Sequence, residues 1–144
     1  MSAVQHVVLL RLSPASLTPS TLSILSCSLK SMIKIPGVTS VKCGETFVPE
    51  GSPDRSRGWN YCIKVGLIDK EALIRYAEHP LHLSVKKNNI GPLLERGPSE
   101  DVMAVDWVDE GEAVGGGGVW LKVLVVAAVS AGLGVGVGMR MKVR

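Results

Sequence analysis

Aromatic residues, histidines and paired cysteines are scarce in this chain of 144 residues. The three cysteines, Cys27, Cys43 and Cys62, are odd in number and far apart, which argues against a disulfide framework or a structural zinc site. Phe, Tyr and Trp together make up only 4% of the residues, and no stripe of arginines is interleaved with them. The net charge of +3 is therefore weak support for nucleic-acid binding, and we predict no nucleic-acid partner.

Hydrophobic periodicity predicts a chain that mixes strands and helices. Short apolar runs predict four strands, at residues 4–12, 38–48, 59–67 and 102–108. Helical spacing of apolar residues predicts helices at 17–34, at about 70–78 and at 81–88. Asp69 is predicted to cap the second of these helices. Gly44, inside the second strand, predicts a bulge or a close approach of another chain segment. The order of elements is that of the split βαβ arrangement, an α+β fold in which one antiparallel sheet carries its helices on a single face.

The first strand is apolar on both of its faces. Val4, His6, Val8 and Leu10 alternate with a second apolar set that includes Val7 and Leu9. Because the helices cover only one face of the sheet, the other face needs a cover, and a second copy of the sheet is the simplest one. We therefore predict a homodimer formed through the sheet face.

Two of the three histidines lie in the short stretch Tyr76-Ala77-Glu78-His79-Pro80-Leu81-His82. Pro80 predicts that one helix ends near Glu78 and that another begins at the proline. His79 is then placed to cap the second helix with its ring. Three histidines could in principle hold a catalytic zinc, but the proline break and the lack of a carboxylate in the set lead us to predict no metal.

The C-terminal part of the chain differs in composition from the rest. We divide the chain into a domain at residues 1–109, a Gly-rich linker at 110–118 and a hydrophobic tail rich in Gly, Val and Ala at 119–144. Residues 123–139 carry no charge, which is 139 − 122 = 17 residues, near the lower limit for spanning a bilayer. Two interpretations stay open, a membrane anchor at 119–139 or a low-complexity extension. An anchor would hold a cytoplasmic-facing domain on an organelle membrane.

The domain resembles the stress-responsive A/B barrel family, a branch of the dimeric α/β-barrel superfamily. The resemblance rests on His6 within the first strand, on the turn Ile35-Pro36-Gly37-Val38, and most specifically on residues 76–82. It covers about three quarters of the chain, and the tail lies outside it. It implies a ferredoxin-like protomer that pairs with a second one to form the barrel.

The best understood relatives in this family are plant cyclases of the olivetolic acid cyclase type, which carry out an aldol condensation without a metal or organic cofactor. Carried over to this chain, the resemblance implies that His82 acts as a base and that Tyr76 donates a hydrogen bond to a carbonyl oxygen. It also implies that His6 and His79 contact a substrate, which would be a small carbonyl or phenolic compound. We predict no cofactor.

Two alternatives to a cyclase or lyase stay open. The chain could be a non-enzymatic dimeric protein related to stress or to small-ligand binding, tethered to a membrane by its tail. A third interpretation is haem binding, which requires a histidine that faces a large open cavity.

Overall fold

A computed structural model describes residues 3–111 of the chain. Its four strands are β1 (Val4–Leu10), β2 (Val38–Glu45), β3 (Tyr61–Leu67) and β4 (Val102–Val108). Its α-helices are α1 (Pro19–Ser31), α2 (Lys70–Glu78), α3 (Pro80–Val85) and the short α4 (Pro98–Asp101). Single turns of 3₁₀ helix lie at Pro14–Ser16, Met32–Lys34 and Gly91–Leu93, and a π-helical turn lies at Lys86–Ile90.

The strands form one antiparallel sheet in the order β2-β3-β1-β4. Strand β3 lies between β1 and β2, which is the split βαβ arrangement that the order of elements predicts. The ferredoxin-like α+β fold is therefore confirmed for the protomer. The predicted face pattern of β1 is confirmed as well, because Val4, His6, Val8 and Leu10 pair with the buried, alternating residues of β3.

The core lies between the inner face of the sheet and the helices. Leu29 of α1 and Ala72 of α2 are fully buried, as is Val65 at the centre of β3. Thr18 caps helix α1, because its side chain accepts from the Thr21 amide. Asp69 caps α2, because its carboxylate accepts from the Ala72 amide at 2.7 Å. Each of these side chains satisfies an amide that has no partner within its helix. The cap predicted at Asp69 is confirmed.

Strand β1 ends two residues earlier than predicted, and a side chain takes over the pairing. The Asn60 amide group accepts from the Leu12 amide and donates to the Leu12 carbonyl, both at 2.8 Å. The backbone at Leu12 therefore keeps hydrogen bonds of the kind a neighbouring strand would supply, although it is outside the ladder.

The prediction of a bulge or a close approach at Gly44 is wrong. The glycine that permits a close approach is Gly66. Gly44 pairs regularly with Cys62, and no atom lies within 4 Å of the position a Cβ would occupy there. At Gly66 a Cβ would lie 2.6 Å from Ser40 Oγ, next to the irregularity in β2 between Val38 and Ser40. The bulge crowds the outer face of β3, so only glycine fits there.

The outer face of the sheet carries apolar side chains that the chain itself leaves exposed. Met103, Val105 and Trp107 of β4 are 39%, 52% and 44% exposed. They pair with Leu9, Val7 and Gln5 of β1, so the two strands form one continuous outer surface. Within residues 3–111, no helix is long and apolar enough to cross a membrane. The linker and tail predicted at 110–118 and 119–144 lie almost entirely outside the described residues.

Candidate active site

The junction of α2 and α3 positions His79 and His82. Helix α2 ends at Glu78, His79 has extended backbone angles, and α3 begins with Pro80, as the sequence predicts. The His79 ring accepts a hydrogen bond from the Leu81 amide through Nδ1 at 3.2 Å, which caps α3. The chain changes direction at this cap, so side chains of both helices are turned toward the inner face of the sheet.

A partly enclosed cavity of about 370 Å³ lies between the sheet and the helices. Its volume is in the range of small-molecule sites. Most of its lining is apolar, and the exceptions are His6, Tyr76, His82 and Lys86. Ala104 and Asp106 of the edge strand β4 are exposed on the same side of the sheet, so the cavity opens to solvent beside this strand. The apolar lining comprises Val8, Leu10, Leu29, Met32, Ile63, Ala77, Val85, Ile90, Gly91, Leu94, Pro98, Val102 and Ala104.

Tyr76 lies at the centre of the polar part of the cavity. Its ring centroid is 4.4 Å from that of His82 and 5.7 Å from that of His6. Its hydroxyl donates to the sulfur of Met32 at 3.5 Å, and the side chain is 2% exposed. Burial raises the pKa of the Tyr76 hydroxyl, so it stays protonated and remains a donor. A thioether is a weak acceptor, and a carbonyl oxygen would be a better partner for this hydroxyl.

His82 is held in one tautomer by the backbone of α2. Its Nδ1 lies 3.0 Å from the carbonyl oxygen of Ala77, and because a carbonyl can only accept, Nδ1 carries the proton. Nε2 of the neutral ring is then the basic nitrogen. Burial lowers the pKa of His82, and the positive charge of Lys86 lowers it further, while the bond to Ala77 opposes both effects. The imidazole is therefore neutral near pH 7, as a general base must be.

His6 is held by a carboxylate. Its Nδ1 lies 2.5 Å from Oδ1 of Asp106, its partner across the β1–β4 ladder. An ionised carboxylate can only accept, so the bond orients the ring with the proton on Nδ1 and leaves Nε2 as the second nitrogen. Within the part of the chain that the structure describes, Nε2 of His6 and Nε2 of His82 have no hydrogen-bond partner. Two imidazoles are thus tied at one nitrogen and available at the other.

Comparison with known protein families matches residues 4–109 to the stress-responsive A/B barrel domain. The chain belongs to this family. Comparison with curated proteins found no match. The resemblance noted in the sequence is therefore confirmed over most of the chain, and it includes the strand with His6, the junction at His79 and the histidine of α3.

Solved structures share the fold of this A/B barrel domain. A dimeric ferredoxin-like protein of unknown function from Jannaschia is 22% identical, with a TM-score of 0.60 over 73% of this chain and 97% of the other. A Dabb family protein with a ferredoxin-like fold from Mesorhizobium loti is 21% identical, with a TM-score of 0.58 over 77% and 100%. Hydroxynitrile lyase from Passiflora edulis is 17% identical, with a TM-score of 0.62 over 77% and 97%. At these identities the likeness shows the fold.

Three of the four predicted site residues meet in the cavity of the A/B barrel domain, namely His6, Tyr76 and His82. His79 is not among the described residues that line it, and its ring is engaged in the cap, so a substrate contact by His79 stays a prediction. Hydrogen bonds among Tyr76, His6 and His82 are absent from the described structure. The Tyr76 ring contacts the rings of both histidines instead. Residues 3–111 contain no group of three or more His, Cys, Asp or Glu side chains arranged to hold a metal.

Two site residues were missed in the sequence. Asp106 interrupts the inward-facing alternation of Val102, Ala104 and Val108, and a carboxylate on an otherwise apolar strand face was the available signal. Lys86 follows His82 by four residues, the spacing that places two side chains on one face of a helix. Each signal is meaningful only when the position of His6 or His82 in the fold is known.

Proposed function

We propose that this A/B barrel domain protein is a cofactor-free lyase or cyclase that acts on a small carbonyl compound. The observation that carries the proposal is the arrangement of His82, whose Nδ1 is bound to the Ala77 carbonyl, whose Nε2 is left as a base, and whose ring contacts the ring of Tyr76. A base and a hydrogen-bond donor in one apolar cavity are what proton removal next to a carbonyl requires. His6, oriented by Asp106, is the second imidazole of the site.

The proposed step balances without a further reactant. Nε2 of His82 takes a proton from the carbon next to the substrate carbonyl. The electron pair of that C–H bond forms a carbon–carbon double bond, and the π pair of the carbonyl moves to its oxygen. The Tyr76 hydroxyl exchanges its weak bond to Met32 for one to this oxygen and stabilises the enolate. In a cyclase the enolate carbon then attacks a second carbonyl of the same molecule, and the proton on His82 passes to the new alkoxide.

Lyase chemistry is the reverse use of the same groups. Nε2 of His82 takes the proton of a hydroxyl, the electron pair of that O–H bond forms the carbonyl of one product, and the carbon–carbon bond breaks. Its electron pair leaves with the departing carbon group as a carbanion, which takes the proton back from His82, and Tyr76 can bind the carbonyl product. The structural likeness to the hydroxynitrile lyase of Passiflora edulis supports including this direction. The proposal names a small carbonyl compound because the cavity is mostly apolar and of small-molecule size.

The test is an exchange reaction that needs no knowledge of the natural substrate. Benzylacetone is incubated with the full chain in deuterium oxide near neutral pH, and loss of the proton signals next to its carbonyl is followed by NMR. We expect exchange well above the buffer rate for the wild type and a return to the buffer rate in His82→Gln. Exchange at the buffer rate with the wild type, or unchanged exchange in His82→Gln, would remove the proposed base.

The second candidate is the non-enzymatic one, a small-ligand-binding protein. The apolar lining of the cavity favours binding whether or not a reaction follows. Titration calorimetry with benzylacetone separates the two functions, since a binder without exchange would be a ligand-binding protein. A wild type that neither binds nor exchanges this ketone argues against both.

We also propose that the protein is a homodimer through the outer face of the sheet. Met103, Val105 and Trp107 supply exposed apolar area there, and the similar structures from Jannaschia and Thermobifida fusca are described as dimeric. Light scattering after size exclusion should give twice the chain mass for the wild type and one chain mass for Val105→Asp. A monomeric wild type would contradict the proposal.

For the tail we keep the proposal of a membrane anchor at residues 119–139, holding the domain at an organelle membrane. The uncharged stretch and the basic end of the sequence support it. Flotation of the full chain with lipid vesicles, compared with a chain that ends at residue 110, tests it. Equal flotation of the two would favour the low-complexity interpretation.

A further inference from the structure

Among the described residues that line the cavity, Lys86 is the one Lys, Arg, Asp or Glu. It follows His82 by one helical turn, and its amide donates to the His82 carbonyl, so both side chains lie on the same face. The positive charge of Lys86 lowers the pKa of the His82 imidazole. Among residues 3–111, no carboxylate forms an ion pair with it.

The backbone next to Lys86 is unusual. Lys86–Ile90 forms a π-helical turn, in which the Gly91 amide donates to the Lys86 carbonyl. Turns of this kind are rare and occur often at functional sites. Of the two neighbouring lysines that begin this turn, Lys86 lines the cavity and Lys87, which is also exposed, does not.

We propose that Lys86 binds an anionic group of the substrate, so that the preferred ligands are apolar carbonyl compounds that carry a carboxylate. The inference rests on the proposed function and adds to it the class of substrate. The apolar part fills the lining, and the carboxylate lies at the exposed end of the cavity against the ammonium of Lys86. An unpaired surface lysine is ordinary; its place on the cavity wall next to the base is what carries the inference.

The experiment compares a carboxylate with a neutral molecule of the same shape. Binding of hydrocinnamate and hydrocinnamamide to the full chain is measured by titration calorimetry, with benzylacetone as the neutral carbonyl ligand. We expect the wild type to bind the carboxylate about fivefold more tightly than the amide, the size of a favourable exposed ion pair. Lys86→Gln should remove this preference, and Lys86→Glu should reverse it.

Lys87→Gln is the matched control, since it removes the same charge one residue away from the cavity wall. It should keep the preference and bind benzylacetone as the wild type does. Equal affinity of the wild type for the two probes, or the same loss in Lys87→Gln as in Lys86→Gln, would overturn the inference.

The outcomes also separate this inference from the proposed function. Exchange and binding of benzylacetone without a carboxylate preference would overturn the anion site alone. A preference that depends on Lys86, together with no exchange of benzylacetone, would keep the anion site and remove the enzymatic function.

Discussion

His79 and His82 are three residues apart in the sequence and have different roles in the structure. The His79 ring is turned to the backbone and accepts from the Leu81 amide, so it serves the start of α3. The His82 ring is held by the Ala77 carbonyl and lines the cavity with its second nitrogen available. The two side chains are chemically the same, so the position of each residue relative to the break at Pro80 decides which groups its ring contacts.

The largest expected effect is on activity, and it should fall on one histidine only. Removing a positioned general base typically costs about 10² to 10⁴ in rate, so His82→Ala should lose exchange of benzylacetone by that factor. His79→Ala should stay within about twofold, because a capping ring takes no part in the proton transfer. Equal losses of exchange rate in the two variants would contradict the assignment of His82 as the base and of His79 as a cap only.

Asp106→Ala tests whether the second imidazole depends on its carboxylate. A hydrogen bond to a charged group is worth about 1.5–3 kcal/mol, so an activity that relies on the orientation of His6 should fall about tenfold to a hundredfold. Asp106→Asn, whose amide oxygen can still accept from Nδ1, should recover part of that loss. A rate unaffected by either change would leave His82 as the single imidazole in the reaction.

The free energy of unfolding should fall in His79→Ala, the variant whose activity is expected to change little. His79→Ala removes a helix cap, for which about 1 kcal/mol of unfolding free energy is typical. His79→Asn, another good capping residue, should recover most of it. Urea denaturation of both variants measures the difference. A value for His79→Ala equal to that of the wild type would show that the bond to Leu81 contributes nothing.

The smallest expected effect is a displacement of the pH–rate profile. Because burial lowers the pKa of His82, its neutral form persists as the pH falls, and the acidic limb should lie below the ordinary histidine value of about 6.5. The charges of Lys86, His6 and His79 act in the same direction, and the bond to Ala77 opposes them. Lys86→Gln removes one positive charge, so it should move the limb to higher pH. A limb displaced to lower pH would contradict the assignment of this pKa to His82.

Local features of the sequence predicted most of the fold. The end of α2, the start of α3 at Pro80 and the caps at His79 and Asp69 all follow from residues next to one another, and all are confirmed. Strand ends were less accurate, since pairing decides them: β1 stops at Leu10, where the Asn60 side chain replaces the ladder. The position that needs glycine was predicted at Gly44 and is found at Gly66, because the bulge that crowds Gly66 belongs to the neighbouring strand β2.

The site was only partly predictable. His6, Tyr76 and His82 were found because histidine and tyrosine are rare here and because family resemblance marks them. Asp106 lies a hundred positions from His6 in the sequence, and only the pairing of β1 with β4 brings the two together. The Tyr76 hydroxyl was expected to serve the reaction directly, whereas its present partner is Met32, a residue of the core beside α1.

Local sequence signals account for the order of strands and helices, the break at Pro80 and the residue types able to move a proton. These depend on backbone preferences and on periodicity, which act over a few residues. The packed structure was needed to show which imidazole nitrogen is hydrogen-bonded, which carboxylate orients His6, and that a cavity lies beside His82. Those outcomes depend on strand register and on packing between distant segments, which local sequence does not specify.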